Sequence, residues 1–542
     1  MGRSCRWAAV LVALGLYPAA APAQRRYAQF ASAERGMVAA STPYAVEAGV
    51  RSLEEGGNAV DAAVAAAFAL AVTDPAMTSL GGRCHILVAF RNGRLARIDG
   101  ATQAPAVIPS LPHPKAVRDG FGVVPAPGAP KALVRAVASY GQLSLRAVLA
   151  PAIDLAENGF AVTAAVAKDW RAREAVFRSD PGASRWYLKP DGSAYREGEI
   201  YRNPPLARLL RILATSGPDP FYAGEIAETI AGDVSGNGGF LRLEDLRDYE
   251  APEAGIIESK YRSLRTASAS VRAWGNTMAE MLNIQNHFAI SPGEPKPDEV
   301  LVQALVIAQA LADRPQGLET LAPKPGGFPI EQLSSPEFAA GRAKLIRRRL
   351  RGEIPLNPGG EPPADHDTTH VSVMDAGGNA VALTTSIGPA FGAGVVSPEL
   401  GFFYAHSYRM RSHPAPDARD DTEMTPTIVF QNRRPWLAIG AAGSQRIPPA
   451  IYQVIANLVD RRYPLRRAVS APRLYAVGAK VWLEAGFSDE VVRLLRDRGY
   501  QVVMDPKSFH LGRVHAVLYN AATGRYEGAA DPRYDGVTGG PE

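Results

Sequence analysis

The sequence predicts an α+β fold built in layers, on three observations. Residues Ala59 to Val72 are nearly all Ala, Val, Leu and Phe, and a helix apolar on every face must have structure packed on both sides of it. Thr369 to Asp375 alternates and Ala380 to Ser386 is a second β-rich run; Ala376-Gly377-Gly378 joins them as a three-residue turn with glycine where positive φ is needed. Trp436 to Ile439 reads as a strand, followed by Gly440-Ala441-Ala442-Gly443-Ser444 and then a helix from Pro448.

Taken in order, Tyr44 to Val50 begins a first helix that stops at Gly56-Gly57, and Asn58 caps the all-apolar one. Pro125 to Val162 continues as helix with Gly and Pro punctuation, and Leu241 to Leu246 is a short helix before a strand. From Pro323 to Asp367 the character changes. Pro and Gly recur, ending in the cluster Pro355, Pro358, Gly359, Gly360, Pro362 and Pro363, an exposed irregular loop. Counting back from an Asp375–Asn379 pair sets Thr368 opposite Ser386, so two hydroxyls end the two strands side by side directly after this loop. Residue pattern alone favours a surface hairpin with polar ends. No repeat of 20–50 residues is present.

A chain of 542 residues is ample for one large domain or two or three smaller ones, and 46% hydrophobic with 21% charged residues is the balance of a globular protein with a substantial core. The net charge of +5 arises from 59 basic against 54 acidic groups, too weak and too interleaved to indicate nucleic acid. The one dense basic run, Arg347-Arg348-Arg349-Leu350-Arg351, reads as the solvated end of a helix. Arg3 and Arg6, the apolar Ala8 to Leu16 and the small-x-small Ala21-Pro22-Ala23 resemble an export signal cut after Ala23, the alternative being an uncleaved anchor. Export to the periplasm or beyond is therefore expected, with no integral membrane segment in the mature chain. Cys5 lies in the signal, which leaves Cys84 alone and excludes an internal disulfide. The nine histidines lack His-Glu-x-x-His spacing, and no Cys-x-x-Cys, phosphate loop, Gly-x-Gly-x-x-Gly or Gly-x-Ser-x-Gly motif occurs. His366 and His370 flank a single bond but do not make a metal site. No cofactor and no metal are expected.

The segment Asp367-Thr368-Thr369-His370-Val371-Ser372-Val373-Met374-Asp375 resembles the start of the small subunit in the γ-glutamyltranspeptidase family, whose members are N-terminal-nucleophile hydrolases. Further blocks follow in the family's order. They are Gly36 to Ala40, Gly56 to Ala65, Val124 to Gly128 through Leu149 to Ile153, Phe221 to Gly224, Leu311 to Arg314, Ala471-Pro472-Arg473 and Ala530 to Arg533. The resemblance implies a four-layer αββα sandwich. It implies self-cleavage between Asp367 and Thr368, giving a large subunit from Gln24 to Asp367 and a small one from Thr368 to Glu542 that stay together. Thr368 then becomes the nucleophile. A threonine hydroxyl is weak alone, but a freed α-amine of pKa about 7.7–8.0 can take its proton near neutral pH. Ser386 takes the family's second hydroxyl position. Gly443 and Ser444 match the two glycines whose N–H groups hold the oxyanion, a role the backbone of Ser444 keeps if it tolerates the dihedrals.

The family's glutamate clamp is not matched. Its arginine falls on Ala101, its two serines on Thr422 and Glu423, its amine-binding asparagine on Gly388 and its acid near Arg409, while a glycine-rich segment has become Gly81-Gly82-Arg83-Cys84-His85. Arg83, His85, His406 and Arg409 could rebuild a polar pocket for another acid; alternatively Arg83 and Arg409 are solvated and His85 is a satisfied core histidine. Two functions follow. One is an amidohydrolase or acyltransferase acting on a small-molecule amide or peptide through an acyl-enzyme. The other is a pseudoenzyme serving as a periplasmic binding protein.

Overall fold

Two antiparallel sheets lie face to face in the computed structural model, which describes residues 27–108, 119–314, 329–356, 367–407, 415–505 and 511–542. The expected leader, Arg409, His366 and most of the Pro/Gly loop fall outside these residues. The first sheet runs in the order Val537–Gly539, Gly36–Ala40, Asp367–Asp375, Ala380–Gly388, Arg83–Ala89, Leu95–Gly100. The second runs Phe30–Ala33, Arg525–Ala530, Arg513–Asn520, Arg434–Ala442, Thr427–Gln431, Leu264–Ala269, Ile256–Tyr261.

Strand alternation sorts the apolar residues into three clusters. Val371, Val373, Val381 and Leu383 point out of the first sheet onto the helices Pro43–Glu54 and Ala59–Thr73. Met374, Ala380 and Ala382 point the other way, against Ile428, Ala438 and Val517 of the second sheet. Val429, Leu437, Ile439 and Val514 leave the far face of the second sheet to meet Gly275–Gln285, Pro297–Asp313 and Ile447–Val459. Helix, sheet, sheet, helix is the αββα order.

The expected elements are present. Every residue of Ala59–Thr73 is buried. The Asn58 side chain accepts from the amides of Val60 and Asp61, while Asp61 reciprocates on the Asn58 amide and also holds Gln142 (2.8 Å). Such a cap contributes about 1 kcal/mol, modest beside the apolar burial that fixes the helix. The hairpin turn closes with Asp375 N–H on the Asn379 carbonyl, and Gly378 carries φ +82°. The short helix is Leu243–Arg247, ahead of the strand Ile256–Tyr261. Two expectations change. The strand expected to end at Ile439 continues to Ala442, because Gly440, Ala441 and Ala442 pair with His515, Val514 and Arg513. The basic run is not wholly solvated: Arg349 turns inward and donates to the Pro355 carbonyl.

Strands from both sides of the Asp367–Thr368 bond interleave. Asp367–Asp375 pairs with Gly36–Ala40, Ala380–Gly388 with Arg83–Ala89, Phe30–Ala33 with Arg525–Ala530, and Leu264–Ala269 with Thr427–Gln431.

His370 is wedged between the sheets. The Ser372 hydroxyl donates to the His515 carbonyl (3.1 Å), so it accepts from His370 Nε2–H (3.0 Å), leaving Nδ1 to accept from Thr384 (2.8 Å). Burial, and secondarily His515, hold this imidazole neutral. Its ring fills the space over Gly440, where a Cβ would stand 2.2 Å from Cε1. Gly440→Ala should therefore cost about 1–3 kcal/mol in denaturant unfolding, since a ring hydrogen-bonded on both nitrogens cannot retreat; an unchanged midpoint would show that the sheets can part there.

Burial also lowers His515 to about 4 and His85 to about 3. All three imidazoles are neutral when folded, whereas unfolded histidine titrates near 6.5, so the unfolded state binds the extra protons below that pH and stability falls with pH. The carboxyls of Glu280, Asp169, Asp180 and Asp233, all raised by burial, oppose the trend. The net expectation is a loss of stability from pH 6 to pH 5, each histidine contributing at most about 1.4 kcal/mol per pH unit, read from urea unfolding curves; flat stability across that interval would contradict it.

Candidate active site

The ladder between Asp367–Asp375 and Ala380–Gly388 is regular from Met374↔Ala380 to Thr369↔Thr385, and then slips to Asp367↔Gly388. The simple pair Thr368–Ser386 is thus replaced by a β-bulge in which Thr368 faces two residues, Ser386 and Ile387. The Ser386 hydroxyl accepts from the Gly388 amide (3.1 Å), and the His406 amide donates to the Ile387 carbonyl (3.0 Å).

Alternation separates the two threonines. Thr369 lies on the helix-facing side with Val371, where its hydroxyl meets Ser41 (2.8 Å), which in turn donates to Asp74 (2.9 Å). Thr385 is tied to Thr78 (2.7 Å) and donates to the Arg83 carbonyl (3.0 Å). Thr368 shares the opposite side with His370 and Ser372 and is only 3% exposed.

The second sheet reaches Thr368 through Arg513, whose guanidinium donates to the Thr368 carbonyl (3.3 Å) and lies over the Tyr534 ring. Arg513 is the ladder partner of Ala442, and Gly443 comes next. There the chain leaves the strand: Gly443 has φ +131° and Ser444 φ +56°, a left-handed conformation that a serine adopts at a cost of about 1–2 kcal/mol. Ser444 is nonetheless buried and opens the turn Ser444–Arg446 that leads into the helix Ile447–Val459. Among the described residues, its hydroxyl has no partner, and none of the hydrogen bonds uses the amide of Gly443 or Ser444. Two adjacent amides ahead of a helix, following the strand position whose partner Arg513 holds the Thr368 carbonyl, are suited to a developing oxyanion.

On the other side of the bulge stands Arg83, register partner of Ser386. It is buried, not solvated, and its Nη1 donates to Asp420 (2.5 Å). The same carboxylate oxygen accepts from Thr102 (2.7 Å) and from Ser407. Arg83, Ser386, Gly388 and His406 come together here: a Cβ on Gly388 would stand 2.5 Å from the His406 carbonyl and 3.4 Å from Arg83 Nη2.

His85 proves to be a satisfied core histidine. Its Nε2 meets Thr422 (3.1 Å), its Nδ1 lies near Arg97 (3.3 Å), and burial followed by Arg97 keeps it neutral. Burial would raise Asp99, but His85, Arg419 and Arg97 bring it down to about 2. Thr422 is absorbed into this network through the Arg272 carbonyl. Glu423 is half-buried, two residues past Asp421, which takes Arg314 (3.1 Å) and Trp274 (3.3 Å). Ala101 is buried with its carbonyl on Tyr249, and the nearby Arg419 is already spent on Asp99 and the Glu250 carbonyl. Asp420, Thr102, Ser407 and Arg513 are the site residues that sequence reasoning missed. The Asp420-Asp421 doublet just before Thr422 was a visible signal, whereas nothing local marks Arg513.

Comparison with known proteins identifies the family. Residues 45–540 match the gamma-glutamyltranspeptidase family. The chain is 34% identical to the acylase ACY 1 proenzyme of Pseudomonas sp. (strain V22), covering 94% of each chain. It is 31% identical to the glutathione hydrolase proenzyme of Escherichia coli (strain K12), covering 94% of this chain and 92% of the relative. Among solved structures, the cephalosporin acylase from Bacillus halodurans superposes with a TM-score of 0.83 at 29% identity, over 98% of this chain and 100% of that one. The chain therefore belongs to the γ-glutamyltranspeptidase family and is an enzyme of the N-terminal-nucleophile hydrolase and transferase class.

Proposed function

We propose that this chain is the precursor of an exported amidohydrolase or acyltransferase that cuts itself between Asp367 and Thr368 and transfers an acyl group other than γ-glutamyl. The observation that carries the reading is the bulge, where Thr368 faces Ser386 while Arg513 holds its carbonyl. In the first reaction, Thr368 Oγ attacks the Asp367 carbonyl, the peptide nitrogen leaves as an amine, and water opens the resulting ester. The product amine is the base for the second reaction. It takes the Oγ proton as Oγ adds to a substrate amide, the amides of Gly443 and Ser444 receive the oxyanion, and the leaving amine carries the proton away. Water or an acceptor amine then releases the acyl group from Thr368. The relatives' designation as proenzymes supports the first step. The leader-like residues 1–23 support export to the periplasm or beyond, and no described helix is long and apolar enough to cross a membrane.

Ala101 and Glu423 support a changed acyl group, as does the likeness to proteins named as acylases, one of them a cephalosporin acylase. The clamp residues of the family grip a part of the substrate remote from the scissile bond. Their loss weakens ground and transition states together and lowers kcat/KM.

Purified protein is expected to run as two bands on a denaturing gel, the smaller beginning at Thr368. Thr368→Ala should remain one chain without amidase activity, because both reactions use the same Oγ, whereas Thr369→Ala should still be cut. Cleavage of the Thr368→Ala protein at the same bond would assign the cut to another protease, and an intact wild-type chain after long incubation would favour a binding protein. On cut enzyme, γ-glutamyl anilide should be turned over about 30- to 5,000-fold less efficiently than the best acyl amide of a panel that includes N-acyl cephalosporins, the range given by a missing charge partner of about 2–5 kcal/mol. Rapid γ-glutamyl turnover would sink the changed-acyl reading.

A further inference from the structure

Asp367 is the first acyl group that Thr368 carries in the proposed reaction. The ester formed in self-cleavage joins Thr368 Oγ to the Asp367 carbonyl, and an acyl-enzyme joins the same oxygen to a substrate carbonyl. The surroundings of the Asp367 backbone therefore outline the acyl side of the site. Its ladder partner is Gly388, and the absence of a side chain there leaves Arg83 Nη2 within reach. An acyl chain leaving Thr368 in that direction passes a guanidinium.

That guanidinium is already neutralised. Arg83 and Asp420 are each 3% exposed and joined at 2.5 Å, and Thr102 and Ser407 add two hydroxyl donors to the same carboxylate oxygen. Among the described residues, Arg83 Nε has no partner, so Asp420 is what fixes the guanidinium. A second carboxylate brought beside this pair would leave water without gaining a net opposite charge, and burying an ion on those terms is unfavourable. An uncharged carbonyl or amide oxygen needs only one N–H donor and loses little on desolvation.

From this juxtaposition, and resting on the acylase reading above, we infer that Asp420 is a specificity-determining residue that closes the acyl site to carboxylates and selects acyl groups whose distal end is an uncharged hydrogen-bond acceptor. Asp420 acts through Arg83 and touches no reacting atom.

The test compares two isosteric substrates, glutaryl anilide and its terminal amide, 4-carbamoylbutanoyl anilide, on protein shown by gel to be cut. Wild-type enzyme should favour the amide by about tenfold or more in kcat/KM, the ratio that corresponds to 1.4 kcal/mol. Asp420→Asn, which leaves Arg83 unpaired, should abolish or invert that ratio, chiefly through KM for glutaryl anilide. If Asp420→Asn is not cut, the Arg83→Gln, Asp420→Asn double variant strands no charge and should keep the preference for the amide. Wild-type preference for glutaryl anilide overturns the inference while leaving the acylase reading intact. An unchanged ratio in cut Asp420→Asn does the same. Cut wild-type protein that turns over no amide overturns both.

Discussion

The candidate site hangs on the register of one strand, Asp367–Asp375. Its neighbours on either side, Gly36–Ala40 and Ala380–Gly388, fix which way each side chain points, and a slip by one residue would exchange Thr368 for Thr369. Several contacts hold the register. Val371 and Val373 are committed to the helix layer, His370 to the gap over Gly440, and Asp375 to the Ala59 amide at the head of the buried helix (2.9 Å). The last ties the hairpin to the all-apolar helix, so the hydrophobic burial of that helix and the placing of Thr368 are one problem.

Around that strand, polar groups are buried in small networks. Thr369, Ser41 and Asp74 form one; His370, Ser372 and Thr384 another; Arg83, Asp420, Thr102 and Ser407 a third. Each exchanges water for fixed protein partners, which gives modest net stability but strong penalties for disorder. The turn at Ser444 is different. Ser444 is held in a left-handed conformation with its hydroxyl unanswered among the described residues, a local cost that the well-packed helix Ile447–Val459 behind it can bear.

How far the sequence reveals this depends on the range of the forces involved. The helix after Asn58 and the hairpin from Thr369 to Thr385 were legible because capping, turn chemistry and periodicity are local. The bulge was not, because Ser386, Ile387 and Gly388 continue a strand pattern and nothing in that pattern marks a residue without a single partner. Arg83 was visible as an oddity, yet its partner lies 337 positions away, so its charge looked available when it is already matched. For His85 the core reading prevailed, since Thr422 and Arg97 satisfy both ring nitrogens. The strand through Ala442 was cut short because Gly440-Ala441-Ala442-Gly443 resembles a turn, and only the His370 ring explains a glycine inside it.

The interleaving of strands across the Asp367–Thr368 bond has a thermodynamic consequence. While that bond is whole, folding is a unimolecular event whose equilibrium ignores concentration. Were it to open as proposed, the two pieces would remain joined only by ladders and the shared core, so unfolding would become dissociation, and recovery would require two different chains to meet, each lacking strands the other supplies. The unnicked chain would then be the only species able to find this fold by itself, and the lifetime of a cut form would be set by the rate of its coming apart.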